Sequence, residues 1–333
     1  MNILVLRFSA RGDVALCVPA LREAVAIDKK INITFVSRPE FQPFFYGIER
    51  LQFIPIHVAT EGSFIQLWRF ARKVKRMRHF DAILDLHGVY RTRILCFFLN
   101  LKTYRINKGR LEKWKMARRK NKVLIPLMHS VERYRRVFKD AGIPVKADNA
   151  HYLITPEKTG ITPPSGIINI GIAPTSRHHL KEWPSENVAQ VIALIKKNLS
   201  GEIYILGGPQ EKDNLNAIFG EIATVVAGKY SFSEDLEFIQ HLDLVVSMDS
   251  ANMHVAALVG VPVLSIWGPS HPYFGYAPLS KGSKTVQLDY LNCRPCSING
   301  SNPCLRKDHA CMIEITPEQV FNELQDILNS RTG

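Results

Sequence analysis

The chain has 333 residues, 46% of them apolar, and a formal net charge of +13. That length is long for a single hydrophobic core and points to two domains, while the apolar share excludes a disordered chain. The strongest apolar run, Ile94–Leu99, is far too short to cross a bilayer and is flanked by Arg91, Arg93 and Lys102.

The opening residues Met1–Leu6 lack a basic n-region and a cleavage site, so they predict a strand rather than a leader and a cytoplasmic protein. The strand Ile3–Leu6 runs into Arg7-Phe8-Ser9-Ala10-Arg11-Gly12-Asp13, and a helix is predicted over Val14–Ile27. Gly12 permits a tight turn. Asp13 stands where a helix cap belongs, and equally where a carboxylate can act as a general base. The loop is not G-x-G-x-x-G, so no dinucleotide cofactor is indicated. Further strands are predicted at Ile33–Val36 and Ala82–Leu86, with a helix over Phe64–Met77 between them.

Thr155–Gly166 is rich in Pro, Gly and Thr and has no apolar period, which marks an interdomain linker. The predicted division is 1–157, a linker at 158–166, and 167–333. The second half repeats the alternation with strands at Ile168–Ala173, Ile203–Leu206, Leu244–Ser247 and Val263–Trp267, and helices at Val188–Lys197 and Met253–Val259. Thr316-Pro317-Glu318 opens a last helix with a cap followed by Pro, and that helix is a candidate to pack back on the N-terminal domain. Alternating strands and helices predict an α/β fold of two Rossmann-like domains facing each other across a cleft.

Ligands of such sheets sit beyond the carboxyl ends of the strands. Thr175, Ser176 and Lys181 follow one strand end and can bind phosphate through hydroxyls and an ammonium group. Asp249, Ser250, Ala251 and His254 follow another, where free N–H groups of a helix N-terminus suit a diphosphate. Capping by Asp249 or Ser250, and a packed core role for His254, are the plainer alternatives. Gly207–Glu211 and Trp267–Ser270 end the neighbouring strands. No Asp-x-Asp occurs, so no metal–diphosphate clamp is indicated. The set Cys293, Cys296, Cys304 and Cys311 has a spacing open to a structural zinc, but reduced structural thiols are the preferred reading.

Charge is unevenly spread. Residues 1–150 hold 30 Lys and Arg against 12 Asp and Glu, and the rest hold 13 against 18. The basic half predicts an anionic partner: nucleic acid, lipid head groups or a phosphorylated substrate.

Arg7–Asp13 with Val18–Arg22, Lys181-Glu182-Trp183-Pro184, Leu206-Gly207-Gly208, Asp249–Leu258, and Gly260-Val261-Pro262 leading to Trp267-Gly268-Pro269 together resemble the heptosyltransferases of glycosyltransferase family 9. The resemblance implies a GT-B fold, with an N-terminal acceptor domain and a C-terminal nucleotide-sugar domain. It implies inverting, metal-independent transfer of heptose from ADP-heptose to a lipopolysaccharide core or lipid A-linked acceptor, with no cofactor required. On that resemblance Asp13 activates the acceptor. Thr175, Ser176, Lys181, Asp249, Ser250, Ala251 and His254 hold the donor, and Glu211 lies toward its adenosine end. Ser9, Arg11, His87 and Arg91 are the expected acceptor residues. Ala251 stands where the family usually has Gly, and the pair His178-His179 departs from its best-known members.

The basic half then predicts attachment to the inner face of the cytoplasmic membrane. Arg69, Arg72, Lys73, Lys75, Arg76 and Arg78 lie beside Phe64, Leu67, Trp68 and Phe70, and a second cluster spans Lys102 to Lys122 around Trp114. Two other readings stand beside this one. One is a GT-B transferase with a different nucleotide sugar for cell-surface glycan synthesis. The other, suggested by charge alone, is a nucleic-acid-binding protein.

Overall fold

β-branched runs form the centres of two parallel sheets. A computed structural model describes residues 1–57, 63–146 and 152–332. The chain divides into two compact units: 1–108 with 130–155, and 109–129 with 156–333.

The first unit holds β1 (Asn2–Leu6), β2 (Asn32–Ser37), β3 (Leu51–Pro55), β4 (Ala82–Asp85) and β5 (Thr103–Arg105), in the order β3-β2-β1-β4-β5. All its strand pairs are parallel. The order reverses between β1 and β4, so the residues after those two strands occupy the switch point where such sheets bind ligands. The helix expected over Val14–Ile27 is two helices, α1 (Arg11–Ala15) and α2 (Val18–Ile27). Pro19 explains the break: it has no N–H, and its ring would meet the Ala15 carbonyl in a continuous helix. Asp13 lies in the first turn of α1 and the N-cap is Ala10, so Asp13 is not the cap. Helices α3 (Phe64–Met77) and α4 (Tyr90–Leu99) also belong to this unit, with Leu67, Phe70, Val74, Leu95 and Leu99 in the core beside Leu4, Leu6 and Ile83.

The basic stretch after β5 departs from the expected contiguous N-terminal domain. α5 (Arg110–Ala117) and the strand-free residues up to His129 belong to the second unit. The reason is local bonding. Lys113 sits 4.2 Å from the centroid of the Tyr276 ring, Leu127 N–H donates to the Tyr273 carbonyl at 2.8 Å, and Lys122 donates to the Pro295 carbonyl at 2.8 Å. Gly275 seats this strap closely, since a Cβ there would lie 2.5 Å from the Met128 carbonyl oxygen. α6 (Ser130–Asp140) then returns to the first unit. Buried Arg135 is bonded through Nε to both carboxylate oxygens of Glu23 on α2, at 2.9 and 3.0 Å.

The second unit holds β6 (Ile168–Ala173), β7 (Gly201–Ile205), β8 (Thr224–Val225), β9 (Leu244–Met248), β10 (Val263–Trp267) and β11 (Lys284–Gln287), in the order β11-β10-β9-β6-β7-β8. Its pairs are again parallel, and the reversal falls between β6 and β9. Helices α7 (Ser185–Asn198), α8 (Lys212–Phe219), α9 (Phe232–Gln240), α10 (Ala251–Leu258), α11 (Ala310–Ile313) and α12 (Pro317–Thr332) complete it. The expected linker is not a free tether throughout: the N–H of Gly160 donates to Glu237 of α9 at 2.9 Å. The last helix belongs to the second unit. Its Val320, Leu324 and Ile327 are buried in the second unit's own core with Val191, Ile195 and Leu264. Each such side chain contributes about 1.5–3 kcal/mol by leaving water.

Candidate functional site

In the first unit the loops after β1 and β4 build one cluster. Arg7, only 4% exposed, places Nη2 2.5 Å from Asp13 Oδ2, and its Nη1 donates to the Leu86 carbonyl at 2.7 Å. Burial works against the charge on Arg7, but the Asp13 carboxylate more than offsets it and the guanidinium stays protonated. Asp13 itself is partly open, with 37% of its side chain exposed. His87 is half-buried and accepts the Phe8 N–H on Nδ1 at 3.4 Å. Burial first, then Arg7 and Lys108, push its pKa down to about 3, so the ring is neutral. Asp85, fully buried, fixes this loop: it accepts the Gly88 N–H at 2.7 Å and pairs with Arg105 at 2.8 Å. Arg11 opens α1, and Arg91 is exposed in the first turn of α4. Ser9 is half-buried just before them. The expected catalytic and acceptor residues of this half thus gather at one switch point.

In the second unit the ends of β6, β9 and β10 converge. Lys181 Nζ lies 3.1 Å from Asp249 Oδ2, with both side chains 11% exposed. Ser270, fully buried, donates to the same Asp249 oxygen at 2.6 Å. Ser176 reaches the Asp249 carbonyl at 3.4 Å, and its own N–H is held by Glu182 at 2.9 Å. Ser250 is the N-cap of α10, but its side chain makes no capping bond, and Asp249 is turned to Lys181 instead. The first N–H groups of α10, from Ala251 on, are therefore not covered by a side-chain cap, and the positive end of the helix dipole lies beside a lysine. His254 is buried in the same helix. Thr175 is half-buried at the end of β6. Glu211 is farther along the sheet edge, where its carboxylate takes the Gly208 N–H at 2.6 Å and shapes the turn after β7.

Several residues that hold this cluster carry no local motif. Arg294 is buried, and its Nη2 donates to the carbonyls of Trp267 at 3.0 Å and Ser270 at 3.2 Å. Its Nη1 reaches the Leu288 carbonyl at 2.8 Å, so it ties the ends of β10 and β11 together. Burial lowers its pKa, and also that of His271, which falls to about 4. Gly300, at φ +81°, lies against the Lys181 stem, where a Cβ would sit 2.6 Å from Cγ. Ser297 anchors this turn by accepting the Gly300 N–H at 2.9 Å. The cysteine-bearing segment thus acts as a brace for the Lys181 and Ser270 loops. Its cysteines are free thiols, and among the described residues no three metal-ligating side chains are brought together.

Comparison with known proteins decides the family. Residues 67–303 match the family model described as glycosyltransferase family 9 (heptosyltransferase). The chain belongs to this family. It is therefore a glycosyltransferase, and its two parallel α/β units are the GT-B fold. Lipopolysaccharide heptosyltransferase 1 of Escherichia coli O18:K1:H7 is 24% identical over 291 residues, covering 82% of this chain and 87% of that protein. The solved structure of a family 9 glycosyl transferase from Veillonella parvula superimposes with a TM-score of 0.80 at 20% identity, covering 99% of this chain and 97% of that one. The Escherichia coli ADP-heptose lipopolysaccharide heptosyltransferase II gives 0.71 at 20% identity over the whole of both chains.

The packing of Gly300 on Lys181 makes a direct test. Gly300→Ala puts a Cβ into the Lys181 stem and a side chain at positive φ, a backbone cost of about 1–2 kcal/mol. A lower Tm together with weaker nucleotide-sugar binding is expected. Unchanged binding by calorimetry would show that Lys181 does not depend on this brace.

Proposed function

We propose that the chain transfers heptose from ADP-heptose, with inversion, to an anionic acceptor of the lipopolysaccharide core. The observation that carries this reading is the Lys181–Asp249–Ser270 cluster beside the uncapped start of α10, at the switch point of the second sheet. A diphosphate suits that place: the N–H groups from Ala251 onward, the helix dipole and the Lys181 ammonium all favour its negative charge. As the anomeric carbon–oxygen bond breaks, charge grows on the departing ADP, and the same groups stabilise it. Asp249, already oriented by Ser270 and Lys181, is suited to accept hydrogen bonds from sugar hydroxyls. Glu211 is assigned to the adenosine end, with Thr175, Ser176 and His254 completing the donor set. On the first unit, Asp13 takes the proton of the attacking hydroxyl, and direct displacement inverts the anomeric centre. Ser9, Arg11, His87 and Arg91 are assigned to the acceptor, where two guanidinium groups suit phosphate or carboxylate. None of these roles calls for a metal ion or an organic cofactor.

The name of the relative that superimposes over its whole length, an ADP-heptose lipopolysaccharide heptosyltransferase, supports the choice of donor. The test is a thermal-shift panel of ADP-heptose, ADP-glucose, UDP-glucose and GDP-mannose. At a hundredfold excess over its Kd a true donor stabilises the fold by about 2.7 kcal/mol, a shift of several degrees. A shift with a UDP- or GDP-sugar and none with ADP-heptose would discard the heptose assignment while leaving the family untouched.

A further inference from the structure

The helix α3 shows two faces. Leu67, Phe70, Ala71 and Val74 are buried against the first sheet. The opposite face begins apolar and ends cationic. Ser63 starts the helix with a capping box, so its first turns are firmly formed and present Phe64, Ile65 and Trp68 outward, 59%, 61% and 41% exposed. Arg69, Arg72, Lys73 and Arg76 follow at helical spacing and line, with Met77, a surface recess of about 450 Å³. Arg72 lies over the Trp68 ring at 4.8 Å, which joins the apolar and cationic parts.

Helix α4 extends this face. Phe64 packs edge-on against Phe98 at 4.8 Å, and Phe98 contacts Phe97 at 5.7 Å, so an aromatic ridge bridges the two helices. Phe97 and Tyr90 are each 75% exposed, and Arg91 and Arg93 flank them. Neither helix contains an Asp or Glu. No acid within them neutralises the cations, and among the described residues nothing is folded over several large apolar side chains. Singly exposed apolar residues are ordinary, but a contiguous ridge rimmed by cations is not.

We propose that the α3–α4 face docks on the surface of an anionic lipid bilayer. The cations lie against phosphate head groups, and Ile65, Trp68 and Phe97 insert at the level of the upper acyl chains. Guanidinium and ammonium groups on long stems reach outward while the apolar side chains beside them are buried, the division of labour of an interfacial helix. A polyanion in solution would satisfy the charges but would leave the aliphatic and edge-packed aromatic side chains wet. A bilayer satisfies both. The proposal does not depend on the identity of the donor sugar.

Co-sedimentation of the full chain with vesicles tests it. Binding is expected with phosphatidylglycerol-containing vesicles and not with pure phosphatidylcholine. Replacing three cations, Arg69→Ser with Arg72→Ser and Arg76→Ser, should lower partitioning about 100-fold, since each cation near the surface is worth roughly a factor of five to six. The apolar variant, Ile65→Ser with Trp68→Ser and Phe97→Ser, keeps every charge and should still lose at least about tenfold. All six positions are exposed, and circular dichroism checks that both variants stay folded. Failure of the wild type to bind anionic vesicles would overturn the proposal. So would equal binding by the apolar variant, because a purely electrostatic surface would then suffice; tight binding of duplex DNA by that variant would point the same way.

Discussion

Asp13→Asn is expected to lower turnover by a factor of about 10²–10⁴ while leaving the affinity for the nucleotide sugar unchanged, as removal of a general base does. The asymmetry follows from where the residue lies. Asp13 belongs to the first unit, and the lysine and helix N-terminus assigned to the donor belong to the second. Arg7, buried behind the carboxylate, holds it by one oxygen. The side chain is still partly exposed, so it remains able to meet a hydroxyl. Asparagine keeps the shape and accepts the guanidinium hydrogen bond, but it cannot take a proton. It also removes the charge that offsets the burial of Arg7, so some loss of stability will accompany it. Tm must therefore be measured beside activity. A fall in Tm alone cannot produce a large drop in kcat at a temperature where the variant is folded. Retained turnover in a folded Asp13→Asn protein would remove Asp13 as the base and leave it as the partner of Arg7.

The sequence revealed the centres of both sheets and missed their edges, for a physical reason. β1, β4, β6 and β9 are buried on both faces and read as near-continuous apolar runs. β3, β5, β8 and β11 are the outermost strands. They carry Gln52, Arg105, Thr224 and Lys284 at exposed or half-exposed positions, so no β-rich run announces them. The site shows the same division. Asp13, Lys181 and Asp249 were legible because each stands just after a predicted strand, and a parallel sheet gathers such residues at one edge. Arg7, Ser270, Arg294 and Gly300 act through partners brought close only by the tertiary fold. Arg294, for example, bonds loops that are far from it in the chain. The strap 109–129 was assigned to the wrong unit because charge and chain order both suggested continuity. Contacts such as Lys113 with Tyr276 are what decide its place.

The second large effect is expected from Lys181. Lys181→Met should cost about 10²–10³ in kcat, the usual cost of losing a group that stabilises charge developing in the transition state. Unlike the Asp13 change, it should also weaken nucleotide-sugar binding, because the ammonium meets the diphosphate before reaction as well as during it. There is a structural complication that the geometry itself resolves. Lys181 and Asp249 are both nearly buried, so the methionine leaves Asp249 with Ser270 as its remaining side-chain donor. Removing one member of a buried pair typically destabilises by about 3–5 kcal/mol. Asp249→Asn alone and the double variant Lys181→Met with Asp249→Asn separate the two effects. Asp249→Asn is the reference, because it alone removes the carboxylate assigned to the sugar hydroxyls. If the ion pair is only structural, the double variant should match Asp249→Asn in Tm, nucleotide-sugar affinity and turnover. If Lys181 serves the diphosphate, Tm matches while affinity and turnover fall below those of Asp249→Asn. A match in all three would show that Lys181 is present to neutralise Asp249, and the donor phosphates would then have to rest on the α10 N-terminus alone.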